Sequence, residues 1–211
     1  QFASSEIYDP SSGEWTITGD MLEIHSGQGS IVIDGKVIIF GQFLSEMYDS
    51  STGVWSSIGI PAVERSRGTG VIMLKDGTVM IAGGEWKQPG WQGQTHVMAT
   101  IQTFDSASNV FSSEAIPSMT KPKYYPSAFL QDNGEVLVVG TAIIELYSPA
   151  TNLWTTVATL LLDRGTDNVG SPTATELDDG RILVVGGKQE TDDKKFIGIL
   201  SSEIYDPSAV E

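Results

Sequence analysis

The chain has 211 residues, enough for one sizeable core or two small ones, and its 27 acidic against 12 basic residues give a formal net charge of −15. That balance disfavours binding to a phosphate backbone, which needs clustered Lys and Arg; it reads either as a solvated, self-repelling surface or as cation binding. The sequence has no cysteine, which excludes disulfides, thiolate metal sites and cysteine nucleophiles, and no apolar run approaches the roughly 20 residues of a membrane-spanning helix.

The first predicted element is a hairpin, Glu6-Ile7-Tyr8-Asp9-Pro10 followed by Trp15, seven residues after the tyrosine. Turn formers separate two short arms, each carrying an aromatic. Next comes Ser30 to Gly41, two apolar strands around Asp34-Gly35, and then a second aromatic hairpin with Tyr48 and Trp55. The same order repeats three times. Val71 to Gly84 turns at Asp76-Gly77 and precedes Gln102-Thr103-Phe104-Asp105 with Phe111; Ser127 to Gly140 turns at Asn133-Gly134 and precedes Glu145-Leu146-Tyr147-Ser148 with Trp154. Thr173 to Gly187 turns at Asp179-Gly180 and precedes Glu203-Ile204-Tyr205-Asp206-Pro207. Asp-Gly and Asn-Gly between apolar strands predict type I′ hairpins, in which both central residues take positive φ. Each full repeat therefore holds two hairpins and four strands. The expected units are a partial blade over 1–19 and blades over about 28–60, 68–117, 126–158 and 171–208, within one domain over 1–211.

A four-stranded sheet cannot bury both faces by itself, so repeated sheets must stack, and radial stacking gives an all-β propeller. The continuous apolar second strands, Val37 to Phe40, Val79 to Ala82, Val136 to Val139 and Ile182 to Val185, are expected near the hub. With Gly83-Gly84 and Gly186-Gly187 after the second strand and the Tyr and Trp pairs in the third and fourth, the chain resembles the Kelch repeat family. Gly41-Gln42 and Gly140-Thr141 keep one glycine of the pair, and Phe104 and Phe111 replace Tyr and Trp in one blade. The resemblance implies a propeller of about four four-stranded blades, or a section of a larger one. The octapeptide Ser-Ser-Glu-Ile-Tyr-Asp-Pro-Ser stands at both Ser4 to Ser11 and Ser201 to Ser208. Either the strand at Trp15 finishes the last blade, with the two octapeptides competing for one position, or the chain is a section of a longer array whose two incomplete edges pair with missing chain or with another subunit.

Turn glycine to next aromatic is 13 residues in two repeats but 27 and 25 in the others, so Glu85 to Thr100 and Lys188 to Leu200 are long loops between strands two and three. If four blades close, these loops wall a cleft on one face. Trp86, Trp91 and His96 in the first loop suit recognition of a glycan or a protein segment, or else fold back over the blade. In the second loop Glu190, Asp192 and Asp193 either hold a hard cation or are solvated. Arg65, Arg67, Tyr124, Tyr125 and Arg164 lie in connections between blades, where cations either form a rim for an acidic ligand or pair locally.

Some relatives of the Kelch fold are copper radical oxidases, which require a cysteine cross-linked to a tyrosine together with histidine ligands. With no cysteine and two histidines, that chemistry is not expected, and His25 reads as structural. No cofactor is expected. The leading expectation is a non-catalytic recognition or assembly module; Glu85 with Arg65 or Arg67 as an acid/base pair acting on a carbohydrate is the alternative, and a structural repeat of a larger surface assembly is a third. The start at Gln1 suggests a processed product or a segment, with an extracellular or cell-surface location slightly favoured.

Overall fold

In a computed structural model the described residues are 2–25, 27–66, 68–87, 95–165, 171–191 and 193–209. Strands β1 (Glu6–Asp9) and β2 (Glu14–Ile17) form a hairpin. The first full sheet is β3 (Ser30–Ile33), β4 (Lys36–Ile39), β5 (Ser45–Asp49) and β6 (Val54–Gly59) in sequence order. The second holds β7 (Gly70–Met73), β8 (Thr78–Ala82), β11 (Ile101–Asp105) and β12 (Val110–Ser112), with a separate hairpin β9 (Glu85–Lys87) and β10 (Thr95–Val97) between its middle strands. The third is β13 (Ser127–Leu130), β14 (Val136–Val139), β15 (Ile143–Ser148) and β16 (Leu153–Thr159). A three-stranded sheet of β17 (Pro172–Glu176), β18 (Ile182–Gly186) and β21 (Ser202–Tyr205) follows, again with an inserted hairpin, β19 (Lys188–Glu190) and β20 (Phe196–Gly198). All pairings are antiparallel, and the four sheets are arranged as the blades of a β-propeller.

Alternation along the second strands builds the core between blades. In β8, Val79 and Ile81 pack against Ile38, Phe40 and Ile58 of the first blade, whereas Met80 and Ala82 pack against Val136, Val138 and Tyr147 of the third. Leu137 and Val139 do the same with Ile182 and Val184 of the fourth. A strand buried on both faces must be apolar at every position, which is why β8 and β14 read as unbroken apolar runs; β4 and β18 are less covered, and Val185 is 38% exposed. The innermost position belongs to the first strands, whose inner edges meet in the order β3, β7, β13, β17.

The turns correct one expectation. Only Asp34-Gly35 has positive φ at both residues, 49° and 75°. At the other three sites glycine alone is left-handed, because the loop is one residue longer: Gly77 N–H donates to Leu74 O at 3.1 Å and Leu74 N–H to Thr78 O at 2.8 Å, a turn whose last residue must adopt the αL conformation. The glycine after the second strand answers a packing need. A Cβ on Gly187 would stand 2.1 Å from Arg164 O, and Lys188 N–H donates to that same carbonyl at 3.0 Å. The connection entering the fourth blade is thereby pressed onto the end of its second strand.

Candidate functional site

The connections do more than link blades. Three of the four carry a basic side chain that is drawn onto the first residue of the motif in the third strand: His25 Nε2 lies 2.8 Å from Glu46 Oε1, Lys123 Nζ bonds Glu145, and Arg164 Nε donates to Glu203 Oε1 at 2.8 Å. The carboxylates also accept backbone N–H groups of the connection, from Leu22 and Glu23 on Glu46, Thr120 on Glu145, and Leu161 and Leu162 on Glu203. Every lone pair in use fixes where the incoming chain crosses the blade.

Arg65 and Arg164 are therefore not a cationic rim. Their relative exposures are 3% and 0%; buried guanidinium groups must find acceptors, and backbone carbonyls of the same blade serve, Gly83 O for Arg65 and, beside Glu203, Gly186 O and Ser201 O for Arg164. Lys123, in the connection into the third blade, is buried as well, at 2%. His25 takes the structural place expected of it.

Titration follows from this packing. Burial alone would raise Glu145, but the hydrogen bonds from Lys123 and Thr120 overcome it and hold the carboxyl below its ordinary value of 4.5. Burial pushes the Lys123 ammonium down, with Glu145 opposing. Glu203 is also lowered: burial raises it, and the N–H of Leu161 and the guanidinium of Arg164 more than compensate. A carboxyl whose folded value lies below its unfolded one contributes stability that is complete above about pH 4.5 and is lost as pH falls through the folded value. Urea midpoints measured from pH 7 downward are expected to hold to about pH 5 and then fall steadily; a midpoint unchanged at pH 3 would show that these pairs contribute nothing.

On the face where the connections emerge, the starts of the four first strands surround an open cavity of about 560 Å³. Gly27, Gln28, Gly68, Thr69, Tyr124 and Tyr125 line it together with Ser127, Ser171 and Thr173. Backbone bonds between connections fix its rim: Gly68 N–H donates to Gly27 O at 2.8 Å, Tyr125 N–H to Gly68 O at 3.1 Å, and Ser171 Oγ to Tyr124 O at 3.2 Å. Tyr125 holds φ at 47°, its ring edge-on to Tyr124 with centroids 4.5 Å apart. Tyr124 is 9% exposed and Tyr125 37%, so one ring braces the other. The described lining holds no carboxylate, imidazole, ammonium or guanidinium.

The other expected site residues fall elsewhere. The Glu85 carboxylate is buried at 2% and receives Ser66 Oγ at 3.3 Å. Trp86, half-buried on β9, donates from Nε1 to Glu64 Oε2 at 3.2 Å and stacks near the exposed His96 across the hairpin, ring centroids 5.7 Å apart. Trp86 and His96 thus form their own surface patch, and the described lining of the cavity comes from the connections and not from the two long loops. Arg67, Trp91 and Asp192 lie outside the described residues.

No protein-family model and no curated protein matches the chain. Solved structures do. A fungal alcohol oxidase of the AA5 family, solved in complex with copper, is 14% identical with a TM-score of 0.58, over 98% of this chain and 58% of that one. The protein YjhT is 11% identical with a TM-score of 0.65, over 92% of this chain and 69% of that one. The likeness is one of fold, and the chain spans little more than half the length of the oxidase. The side chains here do not make a copper site: there is no cysteine, His25 is committed to Glu46, and His96 pairs with Trp86. Among the described residues no three His, Asp or Glu side chains are grouped to hold a metal.

Proposed function

We propose that the chain is a recognition module that binds a neutral polar ligand, a glycan or a protein segment, in the hub cavity on the loop face. One observation carries this reading: an open space of about 560 Å³ whose described lining offers two tyrosine rings, hydroxyls and an amide but no carboxylate, imidazole, ammonium or guanidinium. Rings supply contact area with little entropy to lose, and hydroxyls and amides supply directional bonds. The alternative enzyme reading, through Glu85, is weaker because that carboxylate is buried against Ser66.

Binding to glycan and peptide arrays tests the proposal. Tyr125→Ala is expected to weaken the strongest interaction at least tenfold, about 1.4 kcal/mol, with the β-rich circular dichroism intact. Ligand binding that survives both Tyr125→Ala and Thr69→Ala unchanged places the site elsewhere.

A further inference from the structure

The two long repeats close the base of their insertions with the same device. In the fourth blade one guanidinium holds both ends of the inserted segment: Arg164 donates to Gly186 O at 2.9 Å before it, and to Ser201 O at 2.9 Å and Glu203 Oε1 at 2.8 Å after it. In the second blade Arg65 donates to Gly83 O before the insertion and to Thr100 Oγ1, at 3.0 Å, after it. The first and third blades join their second and third strands by short turns, and there His25 and Lys123 stand instead, each on its carboxylate. Five donors in a fixed fork let arginine hold a carboxylate and two carbonyls together, which an imidazole or an ammonium does not do.

Beyond that staple the two inserted hairpins differ. β9 and β10 are tied to their surroundings: Glu85 is buried, Ser66 N–H donates to Glu85 O at 2.7 Å, and Lys123 N–H donates to Met98 O at 3.0 Å. β19 and β20 are tied at the base, where Lys188 N–H donates to Arg164 O and Ile199 N–H to Gly187 O, both at 3.0 Å. Above the base every residue of both strands is exposed, and among the described strands the two pair with each other alone. A two-stranded ribbon with no face to bury is marginal in water, so it opens at a small fraction of the cost of opening the blade. Its tip carries two adjacent exposed bases, Lys194 and Lys195. The bonds that shape the tip, Thr191 N–H to Lys195 O and Lys194 N–H to Thr191 O, both 2.8 Å, lie within the hairpin and open with it. Other described bases lack this combination: Arg65, Lys123 and Arg164 are buried, Lys36 stands in β4, and Lys121 precedes Pro122.

We propose that the tip of the β19–β20 hairpin is a processing site for a trypsin-type endoprotease, and that the fourth blade stays assembled after the cut. Water adds across the amide that follows Lys194 or Lys195, leaving a carboxylate on that lysine and a free amine on Lys195 or Phe196. Arg164 lies before the break and Ser201 and Glu203 after it, and β18 meets β21 from Ile182↔Tyr205 to Val185↔Ser202, so staple and ladder both span the cut. Brief trypsin treatment of the folded chain, with the pieces identified by mass, is expected to release amino termini at Lys195 or Phe196 roughly tenfold faster than cuts after Lys36, Lys75, Lys87 or Arg181. The two pieces are expected to co-elute in gel filtration at the volume of the uncut chain and to part in urea. Lys194→Gln with Lys195→Gln is expected to remove this cut. Arg164→Lys keeps a charge beside Glu203 without the fork, so its pieces are expected to part in native buffer once cut; circular dichroism of the uncut variant checks that it folds, and the wild-type pieces decide the matter if it does not. Cuts after the other four residues at an equal rate, or wild-type pieces that separate without urea, overturn the inference. Arg164→Lys pieces that stay together overturn the part given to the staple.

Discussion

Replacing Lys123 by Met is expected to destabilise the fold by about 3 to 5 kcal/mol at neutral pH, because it strips the counter-charge from a fully buried carboxylate. Glu145 is 0% exposed and Lys123 2%. Without the ammonium, Glu145 keeps only the Thr120 N–H at 2.7 Å, and its carboxyl rises above its ordinary value instead of lying below it. The sign of the pH dependence follows. A raised folded value makes the variant recover stability as pH falls through it, so the gap to wild type is widest at pH 7 and narrows toward pH 4.5. Lys123→Met with Glu145→Leu is expected to regain most of the loss, since an apolar pair of similar volume needs no desolvation. Urea unfolding of the three proteins at two pH values measures all of this. A cost below about 1 kcal/mol would place the pair with ordinary surface ion pairs. The exposed Lys195 and Asp193 pair, at 77% and 65% side-chain exposure, serves as the comparison, and Asp193→Asn is expected to change nothing measurable.

The propeller was legible because its determinants are local and repeated. Asp-Gly and Asn-Gly turns, aromatic pairs seven residues apart and continuous apolar second strands each report on neighbours within a hairpin, and the copies reinforce one another. The turns after β7, β13 and β17 depart from type I′ for a local reason: whether the residue before glycine also goes left-handed depends on loop length, which Asp-Gly or Asn-Gly alone does not state. The site was less legible because its contacts are long-range. His25 meets Glu46 across 21 residues, Lys123 meets Glu145 across 22 and Arg164 meets Glu203 across 39. Read singly, Arg65 and Arg164 are loop cations and look available to a ligand. Aligned by repeat, each connection holds at least one basic residue and each following third strand opens on Glu or Gln, a pairing signal present in the sequence. The hub cavity had a fainter trace in the small and turn-forming residues before each first strand, Gly27-Gln28, Gly68-Thr69, Tyr125-Pro126 and Ser171-Pro172.

That alignment also exposes the blade in which the pattern breaks. Gln102 occupies the position of Glu46, Glu145 and Glu203, and its Oε1 accepts Val63 N–H at 3.3 Å as the carboxylates accept the N–H groups of their own connections. Arg65 repeats the arrangement of Arg164, with Gly83 O standing for Gly186 O and Thr100 Oγ1, at 3.0 Å, for Ser201 Oγ. What Arg164 Nε gives to Glu203, Arg65 Nε gives to no acceptor among the described residues, and the Gln102 Nε2 amide is likewise buried without one. In the alignment by repeat the Gln102 amide stands where the Glu203 carboxylate meets Arg164 Nε, and an amide turned to present its oxygen there would set an N–H against the Val63 N–H. Burial with no carboxylate beside it lowers the Arg65 guanidinium to about 10. Gln102→Glu supplies the acceptor without changing the side chain's size, and the cost of burying the arginine is already borne by the native fold. The variant is expected to gain about 1.5 to 3 kcal/mol at pH 7, the worth of hydrogen bonds to a charged group. The new carboxyl, held down by Arg65, contributes that gain above its unfolded value near 4.3 and loses it as pH falls further. Gln102→Leu separates the two sources: it removes the facing donor without adding charge, so it is expected to leave stability near that of wild type and to show no acid-dependent change. Equal stability of the Glu and Leu variants at pH 7 would mean that Arg65 draws nothing from a carboxylate here.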